Sequence, residues 1–441
     1  MGSENANGDG SLRHVRWFVV AMVVVGGALP LVLYWLMLGS VAAVTPQRAV
    51  ELLRRDPNTA VLLDVRKPEQ FSAGHIDGAV NWALEELLSV SDADKMPPRF
   101  RGKTLLLVCD VGATSCLAAR HLAGAGIEPA VNVRGGIQEW IHSTRRRDGE
   151  IYERWRNASD QVEPFPFRES PCLEQALAVI AFFLIKPIYT LIALMLVILL
   201  WRSRSPDLTA LRWAMIFFFL GENACAANYL ALKETSYLLE YLHSYGMLLC
   251  FGFAAYAVFE GLDRRVLMLS DPERRCAALP LCGSCIKHAD VPCGLKRMFY
   301  FILPVMIVLS ATLPTADWQD TSYNTLVFGQ LYNYAHLRIY QLFENGYCAT
   351  AAILMFTLSL LMLAFEREGA VAKAKIAFAA GLGPFGFGML RMLLGSAYDE
   401  NRVWYLFWEE TTELLFILGI CFVLWTFRRR LLPALVPARH D

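Results

Sequence analysis

Thr104-Leu105-Leu106-Leu107-Val108-Cys109-Asp110-Val111-Gly112-Ala113-Thr114-Ser115 is the stretch that decides the fold of residues 44–145. Thr104–Val108 is apolar without alternation, the pattern of a strand buried on both faces. The run ends at a cysteine, passes a glycine and gives way to the helical stretch Ser115–Gly124. A cysteine placed directly after a buried strand and before a helix lies among the free N–H groups of the helix N-terminus. Those dipoles favour a thiolate. Gly112 lets the loop wrap closely around the sulfur.

Working outward, Ala60-Val61-Leu62-Leu63-Asp64-Val65 reads as a second buried strand, and Pro46–Arg55 as a helix. Short strands alternating with helices predict a small α/β domain, a parallel sheet with helices on both faces. Its motifs are Leu63-Asp64-Val65-Arg66-Lys67-Pro68-Glu69-Gln70-Phe71, then Gly74-His75-Ile76-Asp77-Gly78-Ala79-Val80-Asn81, then Val108-Cys109 with Gly112 and Ser115, and last Val133-Arg134-Gly135-Gly136-Ile137-Gln138-Glu139-Trp140. In this order and at these distances they closely resemble the signatures of the rhodanese family.

The resemblance covers under a quarter of the chain. It implies that Cys109 accepts a sulfane sulfur from a donor such as thiosulfate and hands it to a thiol acceptor, with no cofactor. It also implies that Asp64 and Arg66 form a structural ion pair near the site. The active-site loop is Asp110, Val111, Gly112, Ala113, Thr114 and Ser115, and it departs from the family at two places. Active members commonly carry arginine after the cysteine and again five residues on, where this chain has Asp110 and Thr114. An acidic neighbour opposes both the thiolate and an anionic donor. A neutral or protein-bound persulfide donor, or a domain kept only as a binding module, are the alternatives. Cys116, on the following helix, reads as core packing or as a resolving thiol.

The rest of the chain is different in kind. Of 441 residues, 55% are hydrophobic, and 41 Lys and Arg balance 41 Asp and Glu, which excludes a general nucleic-acid or anionic-surface binder. Apolar runs near 17–38, 176–201, 211–231, 242–260, 298–315, 346–365, 372–395 and 405–427 are each close to the length that crosses a hydrocarbon core. The expected fold class is therefore an α-helical transmembrane bundle of about eight spans with an inserted soluble α/β rhodanese-like domain. The first run is too long for a signal h-region and reads as an uncleaved anchor.

Loop charges predict an orientation. Arg13 and Arg16 set the amino terminus inside; Arg202, Arg204 and Arg212, the basic loop 261–297, Lys373 with Lys375, and Arg428-Arg429-Arg430 mark the other inside segments. Both termini are then cytoplasmic in an inner (plasma) membrane, and the rhodanese-like domain is extracytoplasmic. The chain divides into a tail 1–16, an anchor 17–38, the domain 44–145, a linker 146–175, spans 176–260, a cysteine-rich loop 261–297, a span 298–315, an outer loop 316–345, spans 346–427 and a tail 428–441. Spans 176–260 and 346–427 align as two copies of a three-helix unit, with Gly221 on Gly388 and Gly252 on Gly419.

Two further groupings carry chemistry. Cys276, Cys282, Cys285 and Cys293, with His288, fall within 18 residues and suit zinc or an iron–sulfur cluster, or a redox pair at Cys282 and Cys285. Within or at the edge of the apolar runs stand Lys186, Glu222, Asn223, Glu240, His243, Arg391, Glu410 and Glu413. Charges at such depth cost at least about 2.5–3.5 kcal/mol, so they face a partner or a cavity. They either hold the bundle together or line an ion, metal or substrate pathway.

The leading expectation is a membrane-bound sulfurtransferase working through a Cys109 persulfide, with lipid, a sulfane-sulfur donor, a thiol acceptor and a protein persulfide carrier as partners and no nucleic acid. The alternative is a transporter or transmembrane redox protein for sulfur compounds that uses the domain for capture.

Overall fold

The computed structural model describes residues 5–38, 41–55, 59–110, 112–137, 140, 168–169, 171–232, 237–267, 294–312, 321–327, 330–336, 342–365, 370–398 and 401–432. They fall into two units, 29–175 with 317–342, and 1–28 with 176–316 and 343–441.

Following helix α1 (Asn5–Leu38) in the chain come the strands β1 (Ala43–Val44), β2 (Ala60–Asp64), β3 (Val80–Asn81), β4 (Thr104–Val108) and β5 (Ala130–Val133). They form one parallel sheet in the order β1-β5-β4-β2-β3. The connections include α2 (Pro46–Arg55), α3 (Pro68–Ala73), α4 (Leu84–Leu88) and α5 (Ala113–Gly124). Alternation along β4 feeds two cores. Leu105, Leu107 and Cys109 pack with Leu87, Ala118 and Leu122 on one face. Leu106 and Val108 pack with Ala49, Ile137 and Trp140 on the other. Because both faces are covered, the strand carries an unbroken apolar run. Each fully buried leucine contributes about 2 kcal/mol.

The segments read as a linker and an outer loop contain strands as well. β6 (Arg168–Glu169) runs parallel to β7 (Thr321–Val327), which pairs antiparallel with β8 (Gln330–His336). Tyr323, Leu326, Val327, Leu331, Tyr332 and Tyr334 supply β-prone residues there, a signal the apolar-run reading passes over.

The helical unit comprises α6 (Cys172–Leu200), α7 (Pro206–Leu232), α8 (Tyr237–Leu262), α9 (Gly294–Ser310), α10 (Cys348–Phe365), α11 (Ala370–Ala397) and α12 (Arg402–Thr426). α7 packs on α8, α8 on α11, α10 on α11, and α12 on α6. Gly221 faces Gly246, and Gly252 faces Gly383, so these helix backbones approach closely. Gly419, equated with Gly252 in the repeat alignment, faces open space.

Among the described residues, five helices are long and apolar enough to cross a membrane: Cys172–Leu200, Pro206–Ala231, Leu238–Arg265, Cys348–Phe365 and Ala372–Ala397. That is fewer than the eight expected. The first and fifth apolar runs lie in α1 and α9, with the apolar stretches Arg16–Val32 and Phe299–Ser310 among the described residues. The last run lies in α12, which carries Glu409, Glu410 and Glu413.

α1 has a defect with a specific repair. Pro30 lies inside it and supplies no N–H to the Gly26 carbonyl one turn back. Tyr347 Oη donates to that oxygen at 2.5 Å, and Tyr245 Oη donates to Val23 O at 2.5 Å. Gly26 and Gly27 make room for these rings, since a Cβ on Gly27 would stand 2.8 Å from Tyr245.

Lys375 changes one step of the charge reading. Taken from sequence as a mark of an inside loop, it is buried, with Nζ 2.7 Å from Glu260 Oε2 and 2.6 Å from Asp263 Oδ2. A lysine paired in this way is neutralised and carries little weight in a count of loop charges.

Candidate functional site

β2 and β4 end side by side, with Asp64 paired in register to Val108, so Asp64 and Cys109 both reach the carboxyl edge of the sheet. This is the edge where open α/β sheets hold their ligands. Cys109 is fully buried. Its Sγ receives the Gly112 N–H at 3.1 Å and the Ser115 N–H at 3.4 Å, and Ser115 Oγ lies 3.3 Å away. Gly112 caps α5 in the left-handed region at φ +86°, which turns the chain back over the sulfur.

Ser115 is held in turn. Its Oγ lies 2.8 Å from Asn132 Oδ1, and Asn132 Nδ2 donates to Gly112 O at 3.1 Å. That second bond fixes the amide orientation, leaving Oδ1 to accept from Ser115. The single hydroxyl proton serves either Asn132 or a sulfur anion. Asn132 was absent from the residues singled out by sequence. The signal was there: a lone polar residue inside the apolar strand Ala130-Val131-Asn132-Val133.

Arg66 ties the neighbouring loop together. Its guanidinium meets Asp64 through Nε at 3.0 Å and Nη2 at 2.7 Å, Asp110 through Nη1 at 2.9 Å, and the Gly74 carbonyl through Nη2 at 2.6 Å. Burial works against the charge on Arg66, but Asp64 and Asp110 outweigh it and hold the group above the usual arginine value. Asp110 therefore faces a cation.

The Gly135-Gly136 pair closes the loop from the other side. Ile137 N–H donates to Cys109 O at 2.8 Å. Gly136 has φ +59°, and a Cβ there would overlap the Cys109 carbonyl and come within 2.6 Å of Asp110. Thr114 is half-buried; Val111 and the side chain of Ala113 lie outside the described residues. Cys116 is a half-buried thiol, pushed up to about 11 by burial first and by nearby Cys109 second. Cys109 and Cys116 are both thiols and form no disulfide.

In the helical unit the polar residues sort into separate clusters. Lys186 follows a π turn at Ala181–Ile185, a local widening of the helix. Its Nζ lies 2.6 Å from Glu222 Oε2, 2.9 Å from Glu410 Oε1 and 3.0 Å from Tyr189 Oη. Tyr189 Oη donates to Glu222 Oε2 at 2.6 Å and also meets Glu410. His243 Nε2 lies 3.1 Å from Glu222 Oε1, and its Nδ1 lies 3.6 Å from Glu240 Oε1. Glu222, His243 and Glu413 bring one ligand atom each within 4.8 Å of one another.

Arg391 belongs elsewhere, with Glu409, with Glu344 at 3.5 Å and with Tyr405 Oη at 2.8 Å. Asn223 is exposed and donates to its own helix at Phe219 O. Tyr189, Glu344 and Tyr405 were not anticipated. Tyr189 alone carried a local signal, one helical turn from Lys186. Cys276, Cys282, Cys285 and Cys293 lie outside the described residues.

Comparison with known proteins agrees with the domain. The family model for the rhodanese-like domain matches residues 45–143. Thiosulfate sulfurtransferase GlpE of Pseudomonas putida is 33% identical over 100 residues, 22% of this chain and 82% of that protein. GlpE of Ectopseudomonas mendocina is 33% identical with the same coverage. A Rhodopseudomonas palustris structure titled a possible tyrosine phosphatase matches at 22% identity and TM-score 0.22, over 28% of this chain and 89% of that one.

Proposed function

This chain belongs to the rhodanese-like family through residues 45–143, and on that premise we propose that it is a membrane-embedded sulfurtransferase working through a persulfide on Cys109. The observation that carries the proposal is the set of donors around Cys109 Sγ, namely two backbone N–H groups and the Ser115 hydroxyl. Donors fixed in place before the reaction stabilise a sulfur anion without reorganising.

In the first step the Cys109 thiolate attacks the sulfane sulfur of the donor. With thiosulfate, a sulfur–sulfur bond forms to Cys109, the donor's own sulfur–sulfur bond breaks, and sulfite leaves with the electron pair. In the second step an acceptor thiolate attacks the outer sulfur, takes it as a persulfide, and returns Cys109 as thiolate. Ser115 turns its proton towards the sulfur when the charge is there and towards Asn132 when it is not. Arg66 absorbs the charge of Asp110, which otherwise opposes an anionic donor.

The five long apolar helices, with lipid-compatible side chains such as Phe183, Met195 and Ile198 exposed, support embedding in a membrane. The charge distribution favours an extracytoplasmic domain and cytoplasmic termini. The cysteine loop 276–293 fits a zinc, iron–sulfur or dithiol site by spacing alone. A second reading, transport or redox transfer with the domain as a capture module, is favoured by the buried Lys186–Glu222–Glu410 cluster, which an inert anchor does not require.

The test is intact mass and peptide mapping of the full chain in detergent after incubation with thiosulfate or polysulfide. One added sulfur atom on the Cys109 peptide, absent in Cys109→Ser, supports the proposal. No adduct with either donor sinks it, and favours the capture reading.

A further inference from the structure

Glu222, His243 and Glu413 come from three different helices, α7, α8 and α12, and all three are more than nine-tenths buried. The surrounding hydrogen bonds satisfy Glu222 but not the other two. Glu413 Oε2 and His243 Nδ1 are both buried with no hydrogen-bond partner. Such atoms are costly in an interior and call for an occupant.

Charge points the same way. Three buried carboxylates, Glu222, Glu410 and Glu413, meet one lysine, Lys186, whose ammonium is already committed to Glu222 and Glu410. His243 Nε2 lies 3.1 Å from Glu222 Oε1, and a ring that keeps its proton on Nδ1, on the side of Glu240 Oε1 at 3.6 Å, presents the Nε2 lone pair to an ion beside Glu222. The cluster thus offers one imidazole nitrogen and two carboxylate oxygens to an ion.

We propose that Glu222, His243 and Glu413 form a binding site for a divalent first-row transition-metal ion inside the helical unit. One imidazole and two carboxylates are the donor set of borderline ions such as zinc and manganese. Metal bonds of about 2.1 Å place neighbouring ligands about 3.4 Å apart, so the present spread, within 4.8 Å, needs only a modest contraction. Lys186 and Tyr189 hold the far oxygen of Glu222, orienting that carboxylate as an outer-shell partner does.

The experiment uses the full chain in detergent, with Cys276, Cys282, Cys285 and Cys293 all changed to Ser so that the loop contributes no thiolate, and Co²⁺ as the probe. The expected result is one Co²⁺ per chain, visible d–d absorption without intense near-ultraviolet thiolate charge transfer, and a higher melting midpoint with the ion. Glu413→Gln, nearly isosteric, and His243→Asn should each weaken binding by at least tenfold. Melting in metal-free buffer reports whether each variant is folded, and Glu413→Gln carries the test if His243→Asn is not. No bound cobalt in the four-serine chain overturns the proposal, as does cobalt affinity unchanged by Glu413→Gln or a thiolate-type spectrum.

Discussion

Arg66 donates through Nη1 to Oδ1 of Asp110 across 2.9 Å, joining two loops 44 residues apart in sequence. This bond alters what an acidic residue beside Cys109 does. From sequence, Asp110 is a charge facing a nucleophile; in the structure the same charge faces a guanidinium that also holds Asp64.

Removing the two partners should therefore have unequal effects. Arg66→Ala leaves two buried carboxylates uncompensated and should cost about 3–5 kcal/mol in the denaturation of the domain. Asp110→Asn keeps the shape and the Asp64 pair. It should raise the rate with thiosulfate roughly three- to tenfold relative to a neutral alkylating agent, the scale of about 1 kcal/mol of repulsion. Stopped-flow rates with the two reagents check this, and an unchanged ratio means Arg66 screens Asp110 completely.

Ser115→Ala tests the donor set. It deletes the hydroxyl beside the sulfur and strips Asn132 Oδ1 of a buried partner, so both reactivity and stability should suffer. About 1–3 kcal/mol of stability is expected to go with the orphaned amide. Ser115→Cys, which keeps a weak donor, should recover part of the persulfide yield measured by mass.

Cys116 gives a pH signature. Burial holds its thiol up to about 11, above the ordinary value of 9.0, so the folded domain keeps it protonated when the unfolded chain has begun to ionise. The stability it contributes is complete below pH 9 and declines as pH rises towards 11. Melting curves of the full chain and of Cys116→Ala should therefore converge or cross above pH 9. At pH 8 a thiolate-selective reagent should label Cys116 slowly, which mapping of the modified peptides will show.

Lys186→Met should be among the most damaging changes in the helical unit. Methionine fills much of the lysine volume but leaves Glu222 and Glu410 without their shared cation. A loss of about 3–5 kcal/mol is expected, read as a lower melting midpoint in detergent. Pairing it with Glu410→Gln should restore part of the loss, because one of the two stranded charges is then gone.

Much of this protein was legible in its sequence, for a physical reason. A buried parallel strand, a glycine that must turn the chain at φ +86°, and a cysteine between strand and helix are local patterns, readable within a dozen residues of Cys109. Apolar runs of spanning length are local too, and they revealed the long helices.

What only tertiary structure decided are the pairings between distant groups. Asn132 behind Ser115 is 17 residues away, and Glu410 reaches Lys186 across 224. Lys375 looked like a loop charge until Glu260 and Asp263 were found around it. Tyr347 repairs a carbonyl freed by Pro30 from 321 residues away. Spacing along a chain sets which faces its residues share, but a buried charge or donor finds its partner through packing between elements, and no local pattern records that choice.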